Sequence, residues 1–119
     1  MPRSILLRLT DIREAIQGIT ALTADGSYEA FVQDWGKQRA IERGLEIISE
    51  ASRHIPDDQK ASAPDIPWRQ IAAIGNLLRH EYQRADSLLV WNIVVEHLPR
   101  LAAAVNQMIQ TAEAEPDPC

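Results

Sequence analysis

Ser87-Leu-Leu-Val-Trp-Asn-Ile-Val-Val-Glu-His-Leu-Pro-Arg-Leu-Ala-Ala-Ala-Val-Asn-Gln-Met-Ile109 is the stretch on which the fold turns. Within it Leu88, Trp91, Val95, Leu98, Ala102, Val105 and Ile109 recur at steps of three and four. That spacing gathers side chains on one face of an α-helix. Pro99 sits inside the run. It has no N–H to give and its ring crowds the carbonyl of the preceding turn, so the sequence predicts a kink near Val95 within one helix, not two separate helices. The small side chains of Ala102-Ala-Ala-Val105 permit close helix approach, within the fold or across a dimer.

Toward the N-terminus the same periodicity returns. Ile5, Leu9, Ile12, Ile16, Ile19 and Leu22 form a first stripe, which stops at Asp25-Gly26. Ser27 is placed to cap a short turn holding Tyr28 and Phe31, and a second long helix is predicted from about Trp35 to His54, with Ile41, Leu45, Ile48 and Ser52 along its apolar side. Pro56, Pro64 and Pro67 bracket a polar stretch, Asp57 to Ser62, with the composition of a loop. Pro67 suits the first position of a third helix carrying Ile71, Ile74 and Leu78 and fraying between His80 and Asp86. No alternating run of strand length occurs. The expected fold is therefore all-α, an up-and-down bundle of four main helices plus a short helical turn, with residues 1–112 as a single domain and 113–119 as a disordered tail.

The 119 residues suffice for a core without metals or disulfides, and the lone Cys119 cannot close an intramolecular bridge. These features favour a reducing cytoplasm and exclude a disulfide-framed secreted scaffold or a cysteine-rich zinc site. The apolar N-terminal run breaks at Arg8, and no uncharged stretch approaches the ~18 residues of a bilayer span, so neither a signal peptide nor a membrane segment is expected. Twelve Lys and Arg against 17 Asp and Glu give a net charge of −5, which argues against broad binding to nucleic-acid backbones but leaves room for a local basic cleft. No HExxH, glycine-rich phosphate loop or serine nucleophile elbow is present, which removes zinc proteases, P-loop NTPases and α/β-hydrolases. No cofactor or metal is implied.

The densest polar constellation closes the third helix: Arg69, Asn76, Arg79, His80, Glu81, Tyr82, Arg84 and Asp86. At ~100° per residue, Arg69, Ala73, Asn76 and His80 share one edge, which makes Asn76 and His80 neighbours. An imidazole serves as general base or acid near neutrality, and an amide beside it can fix its tautomer or hold a phosphate oxygen, a combination suited to phosphoryl chemistry. The competing structural role is a histidine favoured at a helix C-terminus by the macrodipole, with Glu81 and Arg84 as solvated surface charges. His54 reads as a helix cap and His97 as a residue at the edge of the last stripe. Trp35, Trp68 and Trp91 could stack on bases, but in a helical bundle they read as core.

The runs Ala40-Ile-Glu-Arg-Gly-Leu-Glu-Ile-Ile-Ser-Glu-Ala51, Ile66-Pro-Trp-Arg-Gln-Ile-Ala-Ala-Ile-Gly-Asn-Leu-Leu-Arg-His-Glu-Tyr82, Val90-Trp-Asn92 and His97-Leu-Pro99 resemble the HepT-like (DUF86) proteins of the HEPN superfamily, from about Asp11 to Ile109. The resemblance implies a dimeric helical ribonuclease toxin paired with a minimal nucleotidyltransferase antitoxin. It assigns the catalytic role to His80 and makes Tyr82 the tyrosine that the partner modifies with AMP. One departure stands out: the motif's arginine is replaced by Gly75, followed by the matching Asn76. Metal-free RNA cleavage needs a base for the 2′-hydroxyl, an acid for the leaving oxygen and positive charge on the transition state. His80 supplies the first two. For the third, Arg79 is adjacent but turned by ~100°, and Arg69 lies on the order of 16 Å away along the axis. Arg43, which matches an arginine of the family pattern, is the substitute if the two helices pack face to face.

Two readings follow. In one, two subunits place His80 and Asn76 around a shared cleft while Arg79, Arg84 and Arg43 hold RNA phosphates. In the other, the bundle has lost cleavage with the arginine and persists as an interaction module for its nucleotidyltransferase partner. A helical nucleotide-binding domain acting in trans with such an enzyme is a third.

Overall fold

The computed structural model describes residues 3–24, 26–80 and 87–114, and at Arg3, Arg79 and His80 the backbone alone. Helix α1 (Arg3–Thr23) is followed by α2 (Tyr28–Gln33), α3 (Trp35–Arg53), α4 (Asp57–Lys60), α5 (Trp68–His80), α6 (Ser87–Asn92), a π-helical segment (Ile93–His97) and α7 (Leu98–Ala114). Among the described residues there is no strand, as the periodicity predicts.

The first connection is built from side chains that satisfy helix ends. Ser27 Oγ accepts the Ala30 N–H at 3.2 Å to start α2, and Asp34 Oδ1 accepts the Lys37 N–H at 2.9 Å to start α3. Gln38 Nε2 donates to the Phe31 and Val32 carbonyls at 3.0 and 2.7 Å, capping the end of α2. The tight corner sinks Phe31 into the core, where its ring centre lies 5.3 Å from that of Trp91. Tyr28 Oη and Ser87 Oγ, 3.1 Å apart, tie α2 to the start of α6.

Helix α3 packs between α1 and α5, and α7 packs on the other side of α1. Its run is antiparallel to α1: Gly44 faces Ile19, while Arg8, a helical stretch earlier, acts on Glu50. A Cβ at Gly44 would lie 2.8 Å from Ile19 Cδ1, so the bare backbone there sets the α1–α3 separation. The core takes the predicted stripes almost entire: Ile5, Leu9, Ile12, Ile16 and Ile19; Ile41, Leu45, Ile48 and Ser52; Ile71, Ile74 and Leu78.

Several expectations are corrected. Leu22, at the end of the first stripe, is exposed. Asp57–Lys60 is a single helical turn instead of loop, closed by Lys60 N–H and Ala61 N–H onto Pro56 and Asp57 carbonyls. Helix α5 begins at Trp68, with Pro67 just outside it and accepting the Ile71 N–H at 3.0 Å. Glu113 and Ala114, assigned to the tail, close α7. Trp35 is 71% exposed rather than core, whereas Trp68 and Trp91 are half-buried against the core.

The last stripe is misphased in its first half. Leu88 and Val95 are exposed, and Val90, Ile93 and Val94 are buried in their place. The cause is the π-helical segment, where the Leu98 N–H reaches back to the Ile93 carbonyl, five residues earlier. One extra residue in that turn rotates everything before it by about 100° relative to α7. The distortion falls at the predicted place, because Pro99 has no N–H to offer the Val95 carbonyl and widening the turn moves that carbonyl off the ring. By length and composition the Ser87–Ala114 run could cross a membrane. Val90, Val94, Leu98, Leu101 and Val105 are instead spent on the core of this bundle.

Candidate functional site

Helix α5 owes its position to a polar seam with α3. Ser49, fully buried, donates its hydroxyl to the Ala72 carbonyl at 2.8 Å and accepts the Gly75 N–H at 3.0 Å. Ser52, also buried, turns its hydroxyl back to the Ser49 carbonyl at 2.7 Å. Burying a hydroxyl is costly unless it is paired, and here both are. A Cβ at Gly75 would stand 3.1 Å from Ser49 Oγ and 3.5 Å from an Arg53 nitrogen, Nη2. Gly75 is therefore a point of close approach between the two helices, and a side chain there would begin inside the seam.

This anchoring fixes which edge of α5 meets solvent. Ile71, Ile74 and Leu78 are buried, while Arg69, Ala73 and Asn76 are exposed, so the edge predicted to carry the polar cluster is the free edge. His80 is the last residue of α5, one turn beyond Asn76 on that edge by helical register. Tyr82 and Arg84 lie outside the described residues, as do the side chains of His80 and Arg79.

Along α3 itself, oppositely charged side chains pair within the helix. Arg39 pairs with the buried Glu42 at 2.6 Å, Arg43 with Glu46 at 3.3 Å, and Glu50 with both Arg53 at 3.5 Å and His54 at 3.2 Å. Arg43 is largely exposed and pairs with the less accessible carboxylate of Glu46. The guanidinium beside Gly75 is that of Arg53, whose Nε donates to the Ala72 carbonyl at 3.1 Å. Sequence reasoning passed over Arg53 and the buried Glu42. The i, i+3 spacing of Arg39 and Glu42 was a signal for the second; nothing local marks the first, because its position depends on the α3–α5 register. The hydrogen bond from His54 holds the Glu50 carboxyl below its ordinary range against an opposing desolvation, helped by the charges of His54, Arg53 and Arg8. At the head of α3 the exposed Trp35 ring lies 5.6 Å from the Arg39 guanidinium carbon.

Hollows open elsewhere among the described residues. The larger, about 810 Å³, opens between the 59–66 segment and α7, with Asp65, Arg100 and Gln107 on its walls. It sits at the opposite end of α5 from His80, on the order of 20 Å along the axis. A smaller one of about 180 Å³ is lined by Gln70, Ile74, Leu77, Ile93 and His97. Among the described residues no group of His, Cys, Asp or Glu is arranged to hold a metal ion.

Residues 12–108 match the family described as "HepT-like: Ribonuclease HepT-like". The chain is 43% identical over 101 residues to "Probable ribonuclease HepT" of Thermococcus cleftensis, covering 85% of this chain and 92% of that protein. It is 35% identical over 103 residues to "Putative RNase MJ1380" of Methanocaldococcus jannaschii, covering 87% of this chain and 94% of the other. No solved structure matches it at a significant level.

Proposed function

Because this chain belongs to the HepT-like ribonuclease family, we propose that it is an RNA endonuclease whose reaction is centred on His80. The family match over residues 12–108 carries this reading. The exposed edge of α5, with Asn76 one turn before His80, supports it. An imidazole at the end of α5 takes the proton of a ribose 2′-hydroxyl, and the freed oxygen attacks the adjacent phosphorus. The P–O5′ bond breaks, and the departing oxygen receives a proton as a 2′,3′-cyclic phosphate forms. No metal is needed for these steps. Asn76 orients the imidazole or the phosphate, and Arg79, Arg84 and Arg43 supply charge along the strand.

The proposal extends to a homodimer whose two His80 edges enclose the RNA, acting in the cytoplasm as a toxin. A nucleotidyltransferase antitoxin would silence it by transferring AMP to Tyr82. Purified protein incubated with RNA in the presence and absence of a chelator tests the core of it. Wild type should cleave in both conditions and His80→Ala should not; equal, feeble degradation by the two sinks the nuclease reading. Intact mass after co-expression with a candidate partner tests the modification at Tyr82, and light scattering tests the dimer.

One observation favours the second reading, a bundle that binds its partner without cleaving. Gly75 lies buried in the α3–α5 seam, so α5 itself contributes no cation at that position. Losing a preorganised charge on the transition state costs on the order of a hundredfold in rate. Substrate turnover by wild type decides between the two.

A further inference from the structure

Arg53 is held in a way that surface arginines ordinarily are not. Its Nε is fixed by the Ala72 carbonyl at 3.1 Å, and its Nη2 lies against the bare backbone of Gly75, 3.5 Å from where a Cβ would stand. Its side chain nevertheless remains 38% accessible. One terminal nitrogen faces Glu50 at 3.5 Å, a loose pair on an exposed carboxylate that leaves most of the guanidinium's charge available. The absence of a side chain at Gly75 is what makes room: a long residue there would compete for the space the Arg53 head occupies. Anchored through Nε and still 38% accessible, this guanidinium is preorganised for a phosphate oxygen.

Resting on the RNA-cleaving reading above, we propose that Arg53 is a phosphate-binding residue of the RNA site, supplying from α3 the cation that α5 lacks at Gly75. Gly75 precedes His80 by five residues, about 7.5 Å along the helix and ~140° around it. Arg53 therefore does not share a phosphate with His80; it holds one further along a strand that passes from the free edge of α5 toward α3, and its contribution is to strand binding and register. Glu50 and His54 are the titratable groups beside it, and Glu50 opposes the phosphate directly.

The test uses the full chain and a 2′-O-methyl oligoribonucleotide, which has no 2′-hydroxyl proton to lose, with fluorescence anisotropy read across a salt series. Arg53→Gln should weaken binding about tenfold and make the slope of log K against log salt shallower by about 0.7, the signature of one lost single-strand phosphate contact. A purely structural role would lower the melting temperature without that change in slope. Arg53→Lys should keep the slope with intermediate affinity. Glu50→Gln, an exposed substitution that leaves the seam intact, should tighten binding a few-fold. Wild-type affinity and slope in Arg53→Gln, or no gain in Glu50→Gln, overturns the assignment while the nuclease reading stands. If the wild-type chain binds no RNA, the nuclease reading fails and this assignment falls with it.

Discussion

Replacing Gly75 with alanine decides whether this glycine is merely an arginine gone missing or a part the bundle needs. Alanine is favoured over glycine in a helix interior by about 1 kcal/mol, so on propensity alone the variant gains stability. Against this, the new Cβ meets Ser49 Oγ at 3.1 Å, and that oxygen cannot easily step aside. It donates to the Ala72 carbonyl at 2.8 Å and accepts the Gly75 N–H at 3.0 Å. Overpacking of this kind costs about 1–3 kcal/mol, and a strained or broken buried hydrogen bond adds about 1 kcal/mol. The expected net loss is about 1–3 kcal/mol, a fall in melting temperature on the order of 5–10 °C for a chain of this size.

Ser49→Ala in the same chain removes the obstructing hydroxyl. In the double variant the alanine at 75 should therefore cost nothing or help, giving a coupling energy of about 1 kcal/mol or more in a double-mutant cycle. Thermal and urea unfolding followed by circular dichroism measures both. A higher melting temperature for Gly75→Ala alone, or additive single effects, refutes the close-approach argument. The same geometry predicts that Gly75→Arg lowers stability and does not raise RNA cleavage while Arg53 is present, since two guanidinium groups would crowd one site; a rate gain in that single variant would show the seam to be more forgiving.

Other consequences are simpler to check. Trp35→Ala should cost under about 1 kcal/mol, the cation–π contact with Arg39 being exposed, whereas Phe31→Ala should cost about 3–5 kcal/mol by emptying the space against Trp91; melting curves of the two variants give the contrast. The Glu50 carboxyl, held below its ordinary range by the His54 hydrogen bond, contributes stability that is present above the unfolded-state carboxylate value and lost as the pH falls through about 4 and below. The difference in melting temperature between wild type and Glu50→Gln should accordingly be present at pH 7 and vanish near pH 3; a difference that grows on acidification contradicts the pairing. Pro99→Ala restores a donor, but the buried faces on both sides hold the π-turn in place, so the gain should fall well short of the ~3 kcal/mol that proline costs in a regular helix. A gain of that full size would mean the turn relaxes.

The legible parts of this molecule were those written as local pattern. The stripes of α1, α3 and α5, the Ser27 cap and the buried Phe31 follow from spacing and side-chain chemistry within a few residues. The four-residue α4 carries no apolar period, and its polar composition reads as loop. Trp35 misled because its type favours burial while its place at the α2–α3 corner faces outward. In the site, the free edge of α5 with Asn76 was readable from helical geometry. The Ser49–Gly75–Arg53 arrangement was not, since Ser49 and Gly75 are 26 residues apart and meet only through the register of two packed helices.

The widened turn at Ile93–His97 also bears on how this chain is compared with its relatives. An ungapped pairing with a protein whose last helix is regular would match inward-facing positions on one side of the turn to outward-facing positions on the other. A relative with an unbroken α-helix there needs one residue fewer between Val90 and Leu98 to seat the same two surfaces, so a single-residue gap at this point would mark a change of helix type and not a lost contact.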